Sequence, residues 1–503
     1  MPEALHEECG IVAVYQLDQA TAKPVNAAKY VPDVLLDIQN RGQLSAGLTS
    51  YNPKRDRLLQ THKGLGSVEQ AFRLYNSQKY DNLMKRFKGT AAIGHVRYAT
   101  SGQENLDFAQ PFERVHGRKW KWFSFCFNGN LANFDVLKKQ LIASEYNITY
   151  NTDTEVMMHF INRELRGDGR KSYKEVFASL SKIFDGAFTI AFLNACGDLV
   201  VMRDPLGIKP LCYGIKDNLL VVSSESIVLN RMGVDYQDIE PGTLLIATRE
   251  GGYQIERYHK KKKTAHCHFE WVYFANLASN LDRRSVFKAR RLMGRLLAEM
   301  EDEKYDINAR VVPIPETAKI AGNAFGFKLG IPVIEGLARN RYVGRTFIEG
   351  GNRQAVIRRK FTPIRELLSG KKVFLVDDSL VRAVTLKTII EDLRIRGKVQ
   401  EIHVRIACPT IIAPCFYGIN IPTVQELFAT KFWQPGQPLK HSKKTLNAMA
   451  KELGADSLKF LTIDRLVQAI GFPKNQLCTA CINTKYPTPT GTEKYQQQVD
   501  MMN

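Results

Sequence analysis

The chain has 503 residues, enough for two or three domains with substantial apolar cores. It contains no run of eighteen apolar residues, and the opening Met1-Pro2-Glu3-Ala4-Leu5-His6-Glu7-Glu8 is acidic rather than charged-then-apolar, so neither a spanning helix nor a secretion signal is expected and a soluble, cytoplasmic protein is. The 71 Lys plus Arg against 51 Asp plus Glu give +20 and call for an anionic partner, yet the basic residues are scattered and no zinc-finger, homeodomain or RNA-reading aromatic pattern exists, so neither nucleic acid nor membrane is expected.

In chain order, Gly10 to Tyr15, Ala91 to His95, Trp122 to Phe127, Ala187 to Leu193 and Leu219 to Ser223 read as short strands broken by Gly, Asn and Pro turns. The texture changes near Lys260 to Lys263, a basic run that reads as a solvated linker. Beyond it Val286, Ala289, Leu292, Met293, Leu296, Leu297 and Met300 fall on one face of a long helix. Apolar strands at Val311 to Ile314, Val373 to Val376 and Ile402 to Ile406 then alternate with helical segments, as in a parallel sheet wrapped by helices. From Pro487 the chain is polar and is expected to be loose.

Nine cysteines are too sparse for a disulfide scaffold, which directs attention to catalysis or metal. Cys126, Cys196, Cys212 and Cys408 lie in apolar stretches and read as small buried hydrophobes. Cys9, beside Gly10 at the start of a strand, could be core or nucleophile. Four motifs accompany it: Arg41-Gly42-Gln43, Gly94-His95-Val96-Arg97-Tyr98-Ala99-Thr100, Phe127-Asn128-Gly129-Asn130-Leu131 and Thr152-Asp153-Thr154-Glu155. In order and spacing these resemble the class II glutamine amidotransferase domain, an N-terminal nucleophile (Ntn) hydrolase fold of α+β class built as an αββα sandwich.

The resemblance implies that Cys9 is the nucleophile. A thiolate needs a base, and a free amine on the same residue can supply it, so Met1 to Glu8 would be a leader removed by the chain itself. Arg97 would fork the glutamine carboxylate and Asp153 would pair with its ammonium. The Asn128 amide and the Gly129 N–H would form the oxyanion hole, where one donor is worth roughly 3 kcal/mol. Arg203 to Leu211 and Ser223 to Ser226 also resemble this domain's later turns and read as structural.

A second site is announced by Lys372-Val-Phe-Leu-Val-Asp377-Asp378-Ser379-Leu-Val-Arg382-Ala383-Val384-Thr385, a strand ending in two acids and running into a helix. That geometry suits phosphate at the helix N-terminus, although paired acids there can also be a mere cap. The motif resembles the phosphoribosyl diphosphate (PRPP) site of type I phosphoribosyltransferases, α/β domains with a parallel sheet. Val312-Pro313-Ile314-Pro315-Glu316-Thr317 looks like the pyrophosphate and metal loop. Arg339-Asn340-Arg341-Tyr342-Val343-Gly344-Arg345-Thr346-Phe347-Ile348 resembles the closing loop of the glutamine phosphoribosyldiphosphate amidotransferase family. PRPP binding is thereby implied for Arg339, Arg341, Tyr342, Arg345, Asp377, Asp378, Ser379, Arg382, Ala383, Val384 and Thr385, and Mg2+ for Thr317, Asp377 and Asp378.

Two departures stand out. Where the family's phosphate loop reads Arg-Gly-Thr-Thr, this chain has Arg382-Ala383-Val384-Thr385. The lost hydroxyl is worth roughly 1.5 to 3 kcal/mol, and alanine in a glycine conformation adds about 1 kcal/mol. Asn40 and Leu44 also flank Arg41-Gly42-Gln43 where His and Glu are usual.

Cys478-Thr-Ala-Cys481 alone fits zinc, redox or iron-sulfur chemistry. Cys267 and Cys415 stand where the family's iron-sulfur branch has its other two ligands, which implies a structural [4Fe-4S] cluster, with zinc on the same four thiols as the alternative. The whole resemblance implies a leader at 1–8, an amidotransferase domain at 9–260, a phosphoribosyltransferase domain at 261–487 and a loose tail at 488–503. It also implies a homotetramer that makes 5-phosphoribosylamine from glutamine and PRPP at the opening of purine synthesis and is inhibited by purine nucleotides. The alternatives are a paralogue regulator with an altered phosphate loop and an amidotransferase with another acceptor. A salvage transferase would leave Cys9, Arg97 and Asp153 unused.

Overall fold

The computed structural model describes residues 7–18, 23–99, 105–260, 263–340, 353–433 and 441–502. The first half begins with β1 (Glu7–Gln16), β2 (Ser45–Tyr51), β3 (Leu59–Leu65), β4 (Ala91–Ala99), β5 (Phe112–Arg114), β6 (Phe123–Leu131) and β7 (Gly186–Asn194). It continues with β8 (Leu199–Arg203), β9 (Cys212–Lys216), β10 (Leu219–Ser223), β11 (Tyr236–Asp238), β12 (Thr243–Thr248) and β13 (Gly252–Arg257). These strands form two antiparallel sheets, ordered β11-β9-β10-β1-β4-β2-β3 and β13-β12-β8-β7-β6-β5.

Period-2 alternation assigns each strand's side chains to layers. In β1, Ile11, Ala13 and Tyr15 pack against the second sheet, while Val12 and Val14 pack with Val31, Val34 and Leu35 of the helix Tyr30–Asp37. In β6 the rings of Phe123, Phe125 and Phe127 face the helices Asp153–Glu164 and Tyr173–Ile183. The layer order is helix, sheet, sheet, helix, the expected αββα sandwich.

The second half has a four-stranded parallel sheet ordered Ala309–Pro313, Lys372–Asp377, Glu401–Ile406, Ser457–Phe460. The acid pair therefore leaves the carboxyl end of a central strand. The helix Val286–Ala298 packs on Lys319–Leu329, where Gly294 meets the backbone of Ala321 so closely that a Cβ could not be accommodated. One apolar core runs from this half into the first at Ala132, Ala187 and Ile208.

Two expectations are corrected. The tail is not loose: Pro489–Asp500 is a helix, capped by Thr488 and with Tyr495 and Val499 buried. It bonds both halves, through Lys494 to Asp135 at 2.8 Å, Thr490 N to Asp185 Oδ2 at 3.1 Å, and Val424 N to Gln498 Oε1 at 3.2 Å. Cys196 is only partly buried in the turn after β7, unlike Cys126, Cys212 and Cys408, which are buried. No helix among the described residues is long and apolar enough to cross a membrane.

Candidate active sites

The first site lies where the two sheets face each other at their ends. β1 and β4 pair with Cys9 opposite Arg97, which puts the thiol and the guanidinium on the same face. That face meets the second sheet: His95, two residues back, approaches Phe127 O through Nε2 at 3.2 Å. From the other side, Ser124 Oγ reaches Thr49 Oγ1 at 2.7 Å and Cys126 Sγ reaches Gly94 O at 3.5 Å, so Asn128, in step with both, also points between the sheets. Asn128 is fully buried, and neither its amide nitrogen nor its oxygen has a partner among the described residues. An unpaired buried amide is costly unless a ligand completes it. Gly129 has φ 148°, and a Cβ there would strike the carbonyl of Ala187, so only glycine lets this strand carry its N–H to the site.

Asp153 opens the helix Asp153–Glu164, whose N-cap Thr152 accepts from Glu155 N. Its carboxylate accepts from Leu131 N at 3.3 Å and benefits from the helix's positive end. Arg97 lies over the Phe108 ring, 5.4 Å from its centroid, and both Arg97 and Asp153 are buried. A buried cation and a buried anion suit a zwitterion better than a neutral amide.

β1 begins at Glu7, with Glu7 opposite Ala99 and Glu8 opposite Tyr98, so the Glu8–Cys9 peptide continues the strand. The first six residues of the expected leader lie outside the described residues. The unusual Asn40 donates to Glu225 Oε1 at 2.9 Å and to Phe274 O at 3.1 Å, while Leu44 is buried.

The second site surrounds the acid pair. Asp378 accepts from the Ser379 hydroxyl at 2.7 Å and from the Thr317 hydroxyl, and Asp377 accepts from Asp378 N at 2.9 Å. Burial pushes both carboxyls up and the neighbouring charge raises Asp377 further. The hydroxyls of Ser379 and Thr317 and the Arg290 cation pull Asp378 partly back. Ala383 is the N-cap of the helix Val384–Ile395 at φ 65°, a left-handed conformation that burdens alanine by about 1 to 2 kcal/mol. Val384 and Thr385 open that helix, whose first N–H groups have no intrahelical acceptor. Arg382 pairs with Glu426 at 2.8 Å, and Arg339 approaches Glu316 at 3.7 Å. Arg341, Tyr342 and Arg345 lie outside the described residues, as do Lys261 and Lys262 of the basic run.

Cys267, Cys415, Cys478 and Cys481 line one enclosed cavity of about 10 Å³ between the halves, together with Ile208 and Tyr417. Cys267 and Cys478 are opposite each other in a short parallel bridge. The space admits about one water. Burial pushes the thiols of Cys267, Cys478 and Cys481 up, Cys478 to about 12. Among the described residues no three His, Cys, Asp or Glu stand in metal-holding geometry, so the four sulfurs converge without forming a preset chelate.

The joint between the sites holds residues that sequence reasoning passed over. Arg41 Nε donates to Glu225 at 2.5 Å and Nη2 to Glu270 at 2.6 Å, with no exposure on any side chain above 1%. Lys209 joins Glu270 at 3.5 Å and donates to Gly418 O at 3.2 Å. Arg290 donates to Trp271 O and Ala275 O, each at 2.9 Å, within reach of the Asp378 charge. Arg41, Glu225 and Lys209 sat inside recognised motifs, but nothing local marks them as partners 184 to 229 positions away.

A cysteine-led αββα unit joined to a parallel-sheet unit with an acid pair at its carboxyl edge defines a glutamine amidotransferase coupled to a phosphoribosyltransferase. A glutamine amidotransferase domain model matches residues 80–245. The amidophosphoribosyltransferase of Methanothermobacter thermautotrophicus is 35% identical over 96% of this chain and 95% of its own length, and that of Bacillus subtilis is 32% identical over 99% and 97%. The solved glutamine PRPP amidotransferase of B. subtilis, complexed with ADP and GMP, superposes with a TM-score of 0.81 at 32% identity, covering 96% of this chain and 98% of that one. The chain belongs to the amidophosphoribosyltransferase family.

Proposed function

We propose that the protein converts glutamine, water and PRPP to 5-phosphoribosylamine, glutamate and pyrophosphate, the opening step of purine synthesis. The observation that carries the reading is the register that sets Cys9 beside Arg97 and opposite the unpartnered Asn128 amide. Arg97 and Asp153 hold the substrate's carboxylate and ammonium. The Cys9 sulfur attacks the carboxamide carbon, and the Asn128 amide and Gly129 N–H stabilise the oxyanion. Its collapse breaks the C–N bond, leaving a glutamyl thioester and ammonia, and water then releases glutamate. Removal of the leader would give Cys9 the terminal amine that serves as base.

Ammonia passes to the second site, where its lone pair attacks C1 of PRPP and the bond from C1 to the pyrophosphate oxygen breaks. Asp377 and Asp378 orient the ribose hydroxyls, and the first turn of the helix Val384–Ile395 offers N–H groups to the 5-phosphate. Two buried acids whose carboxyls are pushed up, with the Thr317 hydroxyl on one of them, form a donor set short of positive charge, which suits Mg2+. When bound, Mg2+ neutralises the diphosphate leaving group. A [4Fe-4S] cluster would be held by Cys267, Cys415, Cys478 and Cys481, four buried thiols around one cavity whose wall also carries His268, its Nε2 3.9 Å from Cys481 Sγ, and would pin the halves together. A cytoplasmic homotetramer inhibited by purine nucleotides completes the reading, and the relative solved with ADP and GMP supports its nucleotide part.

The test is glutamine-dependent pyrophosphate release by anaerobically purified protein. Cys9→Ala should abolish it while ammonia-dependent release survives. Absence of release from wild type with either nitrogen source would refute the reading.

A further inference from the structure

The cross-strand row that contains Cys9 and Arg97 has a third member. β4 pairs with β2 as well as with β1, and its Arg97 stands opposite Ser45. In the same register Gly47 is opposite His95 and Thr49 opposite Ile93, and both His95 and Thr49 bond to the second sheet. Ser45, two and four positions from Gly47 and Thr49, therefore faces the second sheet too. It lies on the side of Arg97 away from Cys9, one strand spacing of about 5 Å from Arg97 and roughly 10 Å from Cys9.

Ser45 is 2% exposed, and its hydroxyl has no hydrogen-bond partner among the described residues. Thr49, farther along the same face, has both Thr61 and Ser124 as partners. A buried hydroxyl left unpaired is disfavoured relative to alanine, so the position gains from serine only when something else accepts its proton. The neighbouring guanidinium has N–H donors only and cannot accept it.

We propose that Ser45 is a further glutamine-binding residue, its O–H donating to the α-carboxylate that Arg97 holds. The inference rests on the reading of Cys9, Arg97 and Asp153 as a glutamine site and adds a contact to it. With the carboxamide at Cys9 and the carboxylate at Arg97, the carboxylate's far oxygen faces the third strand. A carboxylate has about four acceptor positions, and the Arg97 fork fills two, leaving room for a hydroxyl.

The test compares wild type, Ser45→Ala and Ser45→Cys in steady-state ammonia release from glutamine and from glutaminamide, whose α-carboxylate is replaced by a neutral amide. Loss of a hydrogen bond to a charged acceptor should raise KM for glutamine about ten- to a hundredfold in Ser45→Ala, with kcat within about twofold. Ser45→Cys, which keeps the bulk but donates weakly, should follow it. With glutaminamide the variants and wild type should be alike, and ammonia-dependent pyrophosphate release and melting temperature should not fall. An unchanged KM for glutamine, or an equal loss with glutaminamide, overturns the inference. Wild type that releases no glutamate refutes the underlying glutamine site, and this contact with it.

Discussion

Arg203 grips Asp282 with both arms of its guanidinium, Nη1 to Oδ1 at 2.7 Å and Nη2 to Oδ2 at 2.8 Å, across the joint between the two halves. Arg203 is wholly buried, and it also donates to Lys209 O at 2.9 Å and Ile239 O at 2.7 Å. Removing Asp282 would leave a buried cation with backbone acceptors only. Asp282→Ala is expected to cost about 3 to 5 kcal/mol in urea unfolding, and Arg203→Met in the same chain should recover part of that loss.

Asn128→Ala should lower kcat for glutamine about a hundred- to a thousandfold, because it removes the proposed preorganised oxyanion donor. Ammonia-dependent turnover uses the other site and should be unaffected. Parallel assays with the two nitrogen sources check this; an equal loss in both would point to misfolding.

Ala383→Gly relieves a left-handed backbone that burdens alanine by about 1 to 2 kcal/mol, while freeing the unfolded chain offsets about 0.4 to 1 kcal/mol. A modest rise in melting temperature is therefore expected. Adding Val384→Thr supplies the hydroxyl at the proposed phosphate site and should lower KM for PRPP about tenfold. Thermal melts read the first outcome, and titration of initial rate against PRPP reads the second.

Burial alone would raise the Glu301 carboxyl, but it accepts from Arg405 Nε at 2.5 Å and Nη2 at 2.8 Å, and these bonds with the guanidinium charge hold it at about 2 against an ordinary 4.5. A carboxyl depressed by folding contributes stability above about pH 4.5, and this is lost as pH falls towards about 2. Glu301→Gln should be less stable at neutral pH and show a flatter acid limb. Melting temperature measured from pH 7 down to 2.5 decides it.

If the proposed cluster is present, Cys415→Ser should remove the visible absorbance of anaerobically purified protein and lower its melting temperature, since one of its four ligands would be lost. Colourless wild type that binds about one zinc per chain would favour the other metal.

How far the sequence reveals this protein depends on how local each signal is. β1 and β6 were legible because their own alternation determines which faces are apolar, and Ala383 because one loop's spelling departs from its pattern. Ser45 was silent, since its meaning comes from a register shared by three strands. The Arg41, Glu225 and Glu270 charges were equally silent as partners, because the chain separates them by 184 and 229 residues. The tail misled for a physical reason: Pro489 to Asp500 offers only Tyr495 and Val499 as large apolar residues, one turn apart, a stripe too thin to predict docking yet enough to fill a groove between two preformed surfaces.

That docked tail also sets a timetable. Asp185 waits 305 residues for the amide of Thr490, and Asp135 waits 359 for Lys494. At ribosomal speeds of about 5 to 20 residues per second, roughly 15 to 70 seconds separate the emergence of these two acids from the arrival of their partners. A nascent chain stalled before Thr490 would hold a largely assembled sandwich whose seam with the second half is still open to chaperones and to premature association.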